Sequence, residues 1–190
     1  MTHQPRQALR QICQNIRQQL SPAYQRKCSD RVCTHIHQLE SYRYAKRIAL
    51  YHPIGGEIDL SEIWRSALVH GQSCYFPTVN DDLTLSFLPA TPCSAFVNNR
   101  FGISEPTLGK EPSLQPEQLD VMFIPLVAFD PRGTRLGRGA GYYDRTLSYG
   151  RPSLLVGVAY EFQRQPYIPS EPWDIPLDVM ITERTTYWST

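Results

Sequence analysis

The eleven residues from Leu119 to Phe129, LDVMFIPLVAF, carry one charge, at Asp120, and are otherwise apolar or proline. The run is too short for a membrane helix, which needs ~20 apolar residues. It also lacks the polar alternation of a strand with one wet face. It reads as a strand buried on both faces, the usual condition inside a parallel sheet. A glycine-rich loop follows, then a short helix over Tyr142–Tyr149, then a second apolar run, SLLVGVA, at Ser153–Ala159. Strand, loop, helix and strand form a βαβ unit, so the chain is expected to be an α/β protein.

Shorter elements surround this unit. Strands are expected at Arg47–His52, Ser73–Pro77, Leu83–Leu88 and Val179–Thr182. Asp59 with Glu62 has the spacing of a capping box and opens a helix running through His70, which Gly71 ends. A proline- and asparagine-rich loop is expected from Leu88 to Pro116. With 190 residues, 41% hydrophobic and 19% charged, a single folded domain over 1–190 is expected. A chain of this size buries roughly 70% of its unfolded surface and needs no disulfide or metal staple. Its five cysteines form no CxxC pair, and reduced thiols are the simplest reading. The opening MTHQPRQALRQ lacks the apolar core of a signal peptide, so a cytoplasmic location and no membrane partner are expected.

Two N-terminal helices, within residues 5–40, are expected to pack on the α/β body. In the first, Leu9, Ile12, Cys13, Ile16 and Leu20 recur at helical spacing. Arg6, Arg10 and Arg17 form a ridge beside that stripe. Ser21-Pro22 caps the second, whose apolar face is Tyr24, Cys28, Val32, Ile36 and Leu39. Cys28, Cys33, His35 and His37 do not share one face and so do not read as a metal site. Residues 1–47 hold nine Lys/Arg against Asp30 and Glu40, a local +7, while the whole chain carries +1. Such a segment suits nucleic acid, a transit peptide, a phosphate-bearing ligand or simply a solvated cationic face. An arginine ridge along a docking seam argues against the nucleic-acid reading, because RNA-binding modules expose aromatics among their basic residues.

The loop RGTRLGRGAGYYD, Arg132–Asp144, interleaves Gly133, Gly137, Gly139 and Gly141 with Arg132, Arg135 and Arg138. Glycines let successive backbone N–H groups converge on an anion, and the following helix adds its positive end. Guanidinium groups suit phosphate oxygens. No GK[ST] follows, so this is not a Walker loop. Asp144 either holds a cation beside the phosphates or merely favours a helix start. Glu57, after Gly55-Gly56 at the end of a strand, is either a ligand-facing carboxylate or a surface glutamate in a turn.

Across nearly its whole length the chain resembles the 5-formyltetrahydrofolate cyclo-ligase family, also called methenyltetrahydrofolate synthetases. The resemblance rests on ALYHPIGGEID (49–59), YFPTV (75–79), RFGISEP (100–106), VAFDPRGTRLGRGAGYYDR (127–145), VGVAYEFQ (156–163) and WDIPLDVMITE (173–183). It implies a three-layer α/β/α fold with a mostly parallel sheet, similar to the ribose-phosphate isomerase and CoA-transferase group. It implies ATP- and Mg²⁺-dependent closure of 5-formyltetrahydrofolate to 5,10-methenyltetrahydrofolate, with release of ADP and phosphate through a phosphorylated formyl intermediate. A monomer acting on a folate that can carry a polyglutamate tail is expected.

The same resemblance implies that ATP meets Arg6, Gln7, Ala8, Leu9 and Arg10, then Arg135, Leu136, Gly137, Arg138, Gly139, Ala140, Gly141, Tyr142 and Tyr143. The folate is expected at His52 and Glu57, and along Arg138, Gly139, Ala140, Gly141 and Tyr142. Mg²⁺ is expected at Asp144 and Asp174, and the catalytic set at Glu57, Arg138 and Tyr142. The sequence departs from the family where Arg6 replaces a frequent lysine and Ala140 a frequent glycine or lysine. The rival readings are a small-molecule kinase built on the same loop, an RNA-binding module and a catalytically idle folate-binding relative.

Overall fold

The computed structural model describes residues 3–108 and 112–190. Its helices are α1 (His3–Gln18), α2 (Pro22–Gln38), α3 (Glu40–Tyr44), α4 (Ser61–Ala67) and α5 (Tyr142–Tyr149). The first strands are β1 (Arg47–Ala49), β2 (Ser73–Val79), β3 (Leu85–Pro89), β4 (Phe96–Asn98) and β5 (Ser104–Pro106). There follow β6 (Val121–Pro125), β7 (Ala128–Phe129), β8 (Arg135–Leu136), β9 (Leu154–Val158), β10 (Val179–Ile181) and β11 (Thr186–Trp188). No helix among the described residues is long and apolar enough to cross a membrane.

Seven strands form the central sheet in the order β11-β10-β9-β6-β1-β2-β3. The five inner strands run parallel, and β3 and β11 close the two edges antiparallel. Alternate residues of the inner strands serve two cores. Ile48, Phe123, Val156 and Ile181 pack toward Val32 and Ile36 of α2 and Ile63 of α4. Ala49, Met122, Leu155 and Met180 pack toward Leu147 of α5. Helices therefore cover both faces, and the fold is the expected three-layer, mostly parallel α/β arrangement. The Oγ1 of Thr146 accepts the N–H of Leu85 at 2.8 Å, which ties α5 to the edge strand.

Several local expectations are corrected. Leu119–Phe129 is not one strand: it leaves the sheet after Pro125, and Ala128–Phe129 pairs instead with Arg135–Leu136. Apolarity reports burial, and Val127, Ala128 and Phe129 stay buried outside the sheet. Asp59 and Glu62 form no capping box. Leu60 stands at the cap, Asp59 accepts the N–H of Ser61, and α4 ends at Ala67 in a turn. β1 has three residues, and β3 starts at Leu85 because Leu83 takes a left-handed turn conformation. β2 runs on through Pro77, past its last β1 pair at Tyr75. Tyr75 O accepts from Leu50 N, so Pro77 also turns its backbone to the β1 side, where no ladder bond is lost. The loop between Leu88 and Pro116 contains the hairpin β4–β5.

The N-terminal helices form as expected. Ser21 caps α2 by accepting the N–H of Tyr24, although Tyr24 itself is exposed. In α1, however, the docking face is rotated. Ile12 and Ile16 are exposed at 57% and 41%, whereas Arg6 and Arg17 are buried with Cys13. The arginine ridge is the docking face. Cys13 joins Val127, Ala128, Leu136 and Ile168 in a small separate core, with Leu9 at its rim.

Candidate active site

In an open α/β sheet a crevice forms beyond the C-terminal strand ends where the strand order reverses. Here the chain proceeds from β1 to β2 on one side and places β6 on the other, so the switch point lies between β1 and β6. A cavity of about 960 Å³ opens there. Its walls come from the segment after β1, the ends of β2 and β6, the glycine loop, the start of α5, and residues 171–175. α1 and the β4–β5 hairpin contribute from the two sides.

One wall is cationic. Arg6 forms a two-bond pair with Asp174, at 2.9 and 3.3 Å. Arg10 donates from Nε to the carbonyl of Gly137 at 2.9 Å, so α1 reaches the glycine loop directly. Arg135 is buried and pairs with Asp144 at 2.6 Å while also donating to the carbonyl of Ile175. Burial lowers the Arg135 pKa, and the Asp144 charge opposes that shift. Arg145, which also lines the cavity, donates to the carbonyls of Ala140 and Leu83, at 2.6 and 3.0 Å, bracing the loop. Gly141 caps α5 with a left-handed φ of 73°, a conformation that favours glycine. The loop thereby delivers its backbone to the helix start.

The opposite wall is aromatic and apolar around one carboxylate. Glu57 is buried, and its Oε2 accepts the N–H of Ile54 at 3.1 Å. Its Oε1 accepts from Arg138 at 3.3 Å and from Arg17 at 3.4 Å. Burial pushes the Glu57 pKa up, and the two arginines pull against it. His52 stacks on Phe76 at 4.6 Å and meets Trp64 and Phe96 edge-on. Burial lowers its pKa, with the Asp59 charge opposing. Its Nε2 is buried without a hydrogen-bond partner among the described residues, although the residue lines the cavity. Phe101, in the β4–β5 turn, meets the ring of Tyr142 edge-on at 5.9 Å across the opening. Glu105 holds that hairpin in place by accepting from Val79 N at 2.9 Å and Asn99 Nδ2 at 2.7 Å.

Most of the expected site residues meet in this one cavity: Arg6 and Arg10, His52 and Glu57, Arg135, Gly137 through Tyr143, and Asp144. Five do not line it. Gln7 and Ala8 lie on the exposed face of α1, Leu9 packs at the rim of the small core, and Leu136 is fully buried in β8. Asp174 is the fifth, because its carboxylate is turned to Arg6 and to the N–H of Glu171. The sequence placed Arg17 in the arginine ridge but gave it no part in the site, and it gave none to Arg145 or to the hairpin residues Asn99, Phe101 and Glu105. The segment RFGISEP was available as a motif, but nothing in its composition tells a cavity wall from a loop.

A Mg²⁺ ion takes one or two carboxylates and completes its octahedron with phosphate oxygens and water. No cluster of three or more His, Cys, Asp or Glu suited to a metal occurs among the described residues, so a dedicated protein cage is not built here. Asp144 does fit the looser requirement. It faces the cavity, and its hydrogen bonds from Arg135 and Ile175 N both go to Oδ1, leaving Oδ2 for a cation.

A family model described as the 5-formyltetrahydrofolate cyclo-ligase family matches residues 2–183. A 5-formyltetrahydrofolate cyclo-ligase from Haemophilus influenzae is 38% identical over 189 residues, covering 95% of this chain and 100% of its own. One from Escherichia coli is 34% identical, covering 87% of this chain and 93% of its own. The solved structure of a 5,10-methenyltetrahydrofolate synthetase from Aquifex aeolicus superposes with a TM-score of 0.85 at 36% identity, covering 96% of this chain and 92% of its own. One from Mycoplasma pneumoniae gives 0.76 at 28% identity, covering 94% and 98%.

Proposed function

This chain belongs to the 5-formyltetrahydrofolate cyclo-ligase family, and on that premise we propose that its cavity joins ATP and 5-formyltetrahydrofolate. The observation that supports the reading is the position of Arg138. It lies in the glycine loop of the cationic wall, yet it donates to Glu57 and to the carbonyl of Ile54 on the folate side. On this reading one guanidinium stands where a terminal phosphate and a formyl group would meet.

The chemistry explains the need for both walls. A formamide oxygen is a poor leaving group. When that oxygen attacks the terminal phosphorus of ATP, the bond to ADP breaks and the formyl carbon becomes an activated iminophosphate. The neighbouring arylamine nitrogen of the same folate then bonds to that carbon, loses its proton, and phosphate departs. Ring closure is intramolecular, so holding the right conformer supplies much of the rate. The rest is charge neutralisation by preorganised donors.

Arg6, Arg10, Arg135 and Arg138, with the backbone of Gly137–Gly141, would hold the polyphosphate and stabilise the transferring group. Glu57 and His52 would take hydrogen-bond donors of the pterin, and Phe101 and Tyr142 would cover the ring system at the opening. Tyr143, which also lines the cavity, would complete the nucleotide pocket. Mg²⁺, when bound, supplies charge to the phosphate oxygens. Asp144 would hold it, and Asp174 would serve chiefly to orient Arg6.

Purified protein mixed with 5-formyltetrahydrofolate, ATP and Mg²⁺ should form the conjugated methenyl chromophore and stoichiometric phosphate. Omission of any one component should stop both. A phosphorylated folate accumulating without the chromophore would show a kinase instead.

A further inference from the structure

We propose that Arg17 is a positioning residue, which aims Glu57 and the Gly55–Glu57 turn at the folate end of the cavity. This rests on the reading of the cavity given above. Arg17 lies on the inner face of α1 and is 2% exposed. Its guanidinium makes three hydrogen bonds to two segments. Nε donates to Gly55 O at 2.9 Å, Nη1 to Leu126 O at 3.3 Å and Nη2 to Glu57 Oε1 at 3.4 Å. It thus clamps the segment after β1 to the segment after β6, across the switch point itself. Tyr160 completes the clamp by donating from its hydroxyl to Gly56 O at 2.9 Å.

The turn is shaped to admit this side chain. Gly55 and Gly56 take left-handed φ values of 58° and 75°. A Cβ on Gly56 would stand 3.1 Å from the carbonyl of Arg17 and 3.0 Å from Gln25 Nε2. The pair of glycines therefore fits the turn to α1 and to Arg17.

Two cations share Glu57 Oε1, but they are not equivalent. The side chain of Arg138 is 45% exposed and that of Arg17 is 3% exposed. Arg138 can turn to a phosphate, whereas Arg17 has no solvent-facing alternative. When Arg138 leaves, Arg17 is the cation that keeps a buried carboxylate charged. Among the described residues the other titratable groups around Glu57 are the hydroxyls of Tyr51 and Tyr143, both of which burial keeps protonated. Neither supplies positive charge.

The test compares Arg17→Met and Arg17→Lys with the parent protein. Steady-state constants are measured for each substrate, together with kcat/KM for the folate against pH. Arg17→Met is expected to raise the folate KM about tenfold or more, the usual loss for a charge-assisted hydrogen bond. Its ATP KM should change much less. The acid limb of the pH profile should move to higher pH, because one of the two charges holding the Glu57 pKa down is gone. Arg17→Lys keeps the charge but not the fork, so it should restore the acid limb and leave the folate KM raised. Glu57→Gln, which retains Arg17, should abolish that limb. An unmoved limb in both folded Arg17 variants, with losses confined to kcat, would make Arg17 merely structural and overturn the proposal. So would a limb that survives in Glu57→Gln, which remains readable even if Arg17→Met fails to fold. Failure of the parent protein to form the chromophore would instead overturn the underlying reading of the cavity.

Discussion

Arg138 and Asp144 show what one side chain can do when its partner is itself part of the site. Arg138 is partly exposed, and in this state its bonds go to Glu57 and to the carbonyl of Ile54. Arg138→Ala should therefore leave the melting temperature nearly unchanged. It should raise the ATP KM and lower kcat, with a combined loss of about 1.5–3 kcal/mol in transition-state stabilisation. Steady-state kinetics on the folded variant check this, and unchanged ATP kinetics would remove the loop from the mechanism. Asp144 differs because its partner, Arg135, is buried. Asp144→Asn keeps an oxygen for Arg135 but loses the charge that a hard cation prefers. Activity should then require a much higher Mg²⁺ concentration while the folate KM changes little. Asp144→Ala should in addition lower the melting temperature, since it strands a buried guanidinium. Magnesium titrations and thermal melts separate the two effects.

At the scale of elements, α1 carries the sharpest departure from what periodicity suggests. Its apolar spacing places Leu9, Ile12, Cys13, Ile16 and Leu20 on one stripe, yet Ile12 and Ile16 face solvent and Arg17 does not. The helix docks on a surface rich in carbonyls and carboxylates: Gly55 O, Gly137 O, Glu57 and Asp174. Polar groups of that kind recruit guanidinium groups more strongly than they recruit methyl groups. Ile12→Glu and Ile16→Glu should accordingly cost no more than about 0.5 kcal/mol each, as exposed substitutions do. Cys13→Asp should cost well over 1 kcal/mol, because it puts a charge into a closed apolar cluster while the nearby Arg17 is already bonded to Glu57 and two carbonyls. Removing residues 1–17 should abolish ATP-dependent activity. Urea melts of the three point variants and an activity assay of the truncation check these outcomes. A truncated protein with full activity would show that α1 contributes nothing to the site.

Across the whole molecule, the cavity collects chain from residue 6 to residue 175. Ligands that bridge its walls should therefore stabilise the fold as a unit. A non-hydrolysable ATP analogue at a hundred times its dissociation constant adds about 2.7 kcal/mol to stability. For a chain of this size each kcal/mol is worth about 2–4 °C, so a rise of about 5–10 °C in melting temperature is expected. The same analogue should give little shift to protein lacking residues 1–17, because Arg6 and Arg10 are lost. Differential scanning fluorimetry with and without the analogue measures both.

The sequence alone determined which stretches are buried, where the βαβ unit lies, that α2 starts at Ser21-Pro22, and that glycine and arginine alternate ahead of α5. Each of these is a local property. Burial shows in side-chain polarity, capping in side-chain chemistry, and the anion loop in the residue types it needs. Glu57 and Arg138 could be named from the sequence, but their contact could not, since 81 positions separate them. Only the tertiary structure decided that Arg17 rather than Ile16 faces inward, that Leu119–Phe129 breaks into two strands, and that Phe101 meets Tyr142 across the opening. For Arg17 and for Phe101 the deciding partner lies far away along the chain, and for Ala128–Phe129 it is the hairpin partner Arg135–Leu136, inside the glycine loop. Hydrophobic periodicity describes what a segment prefers to hide, whereas packing also depends on the surface it is offered. Where that surface was made of carbonyls and a carboxylate, arginine was buried and isoleucine was left in water.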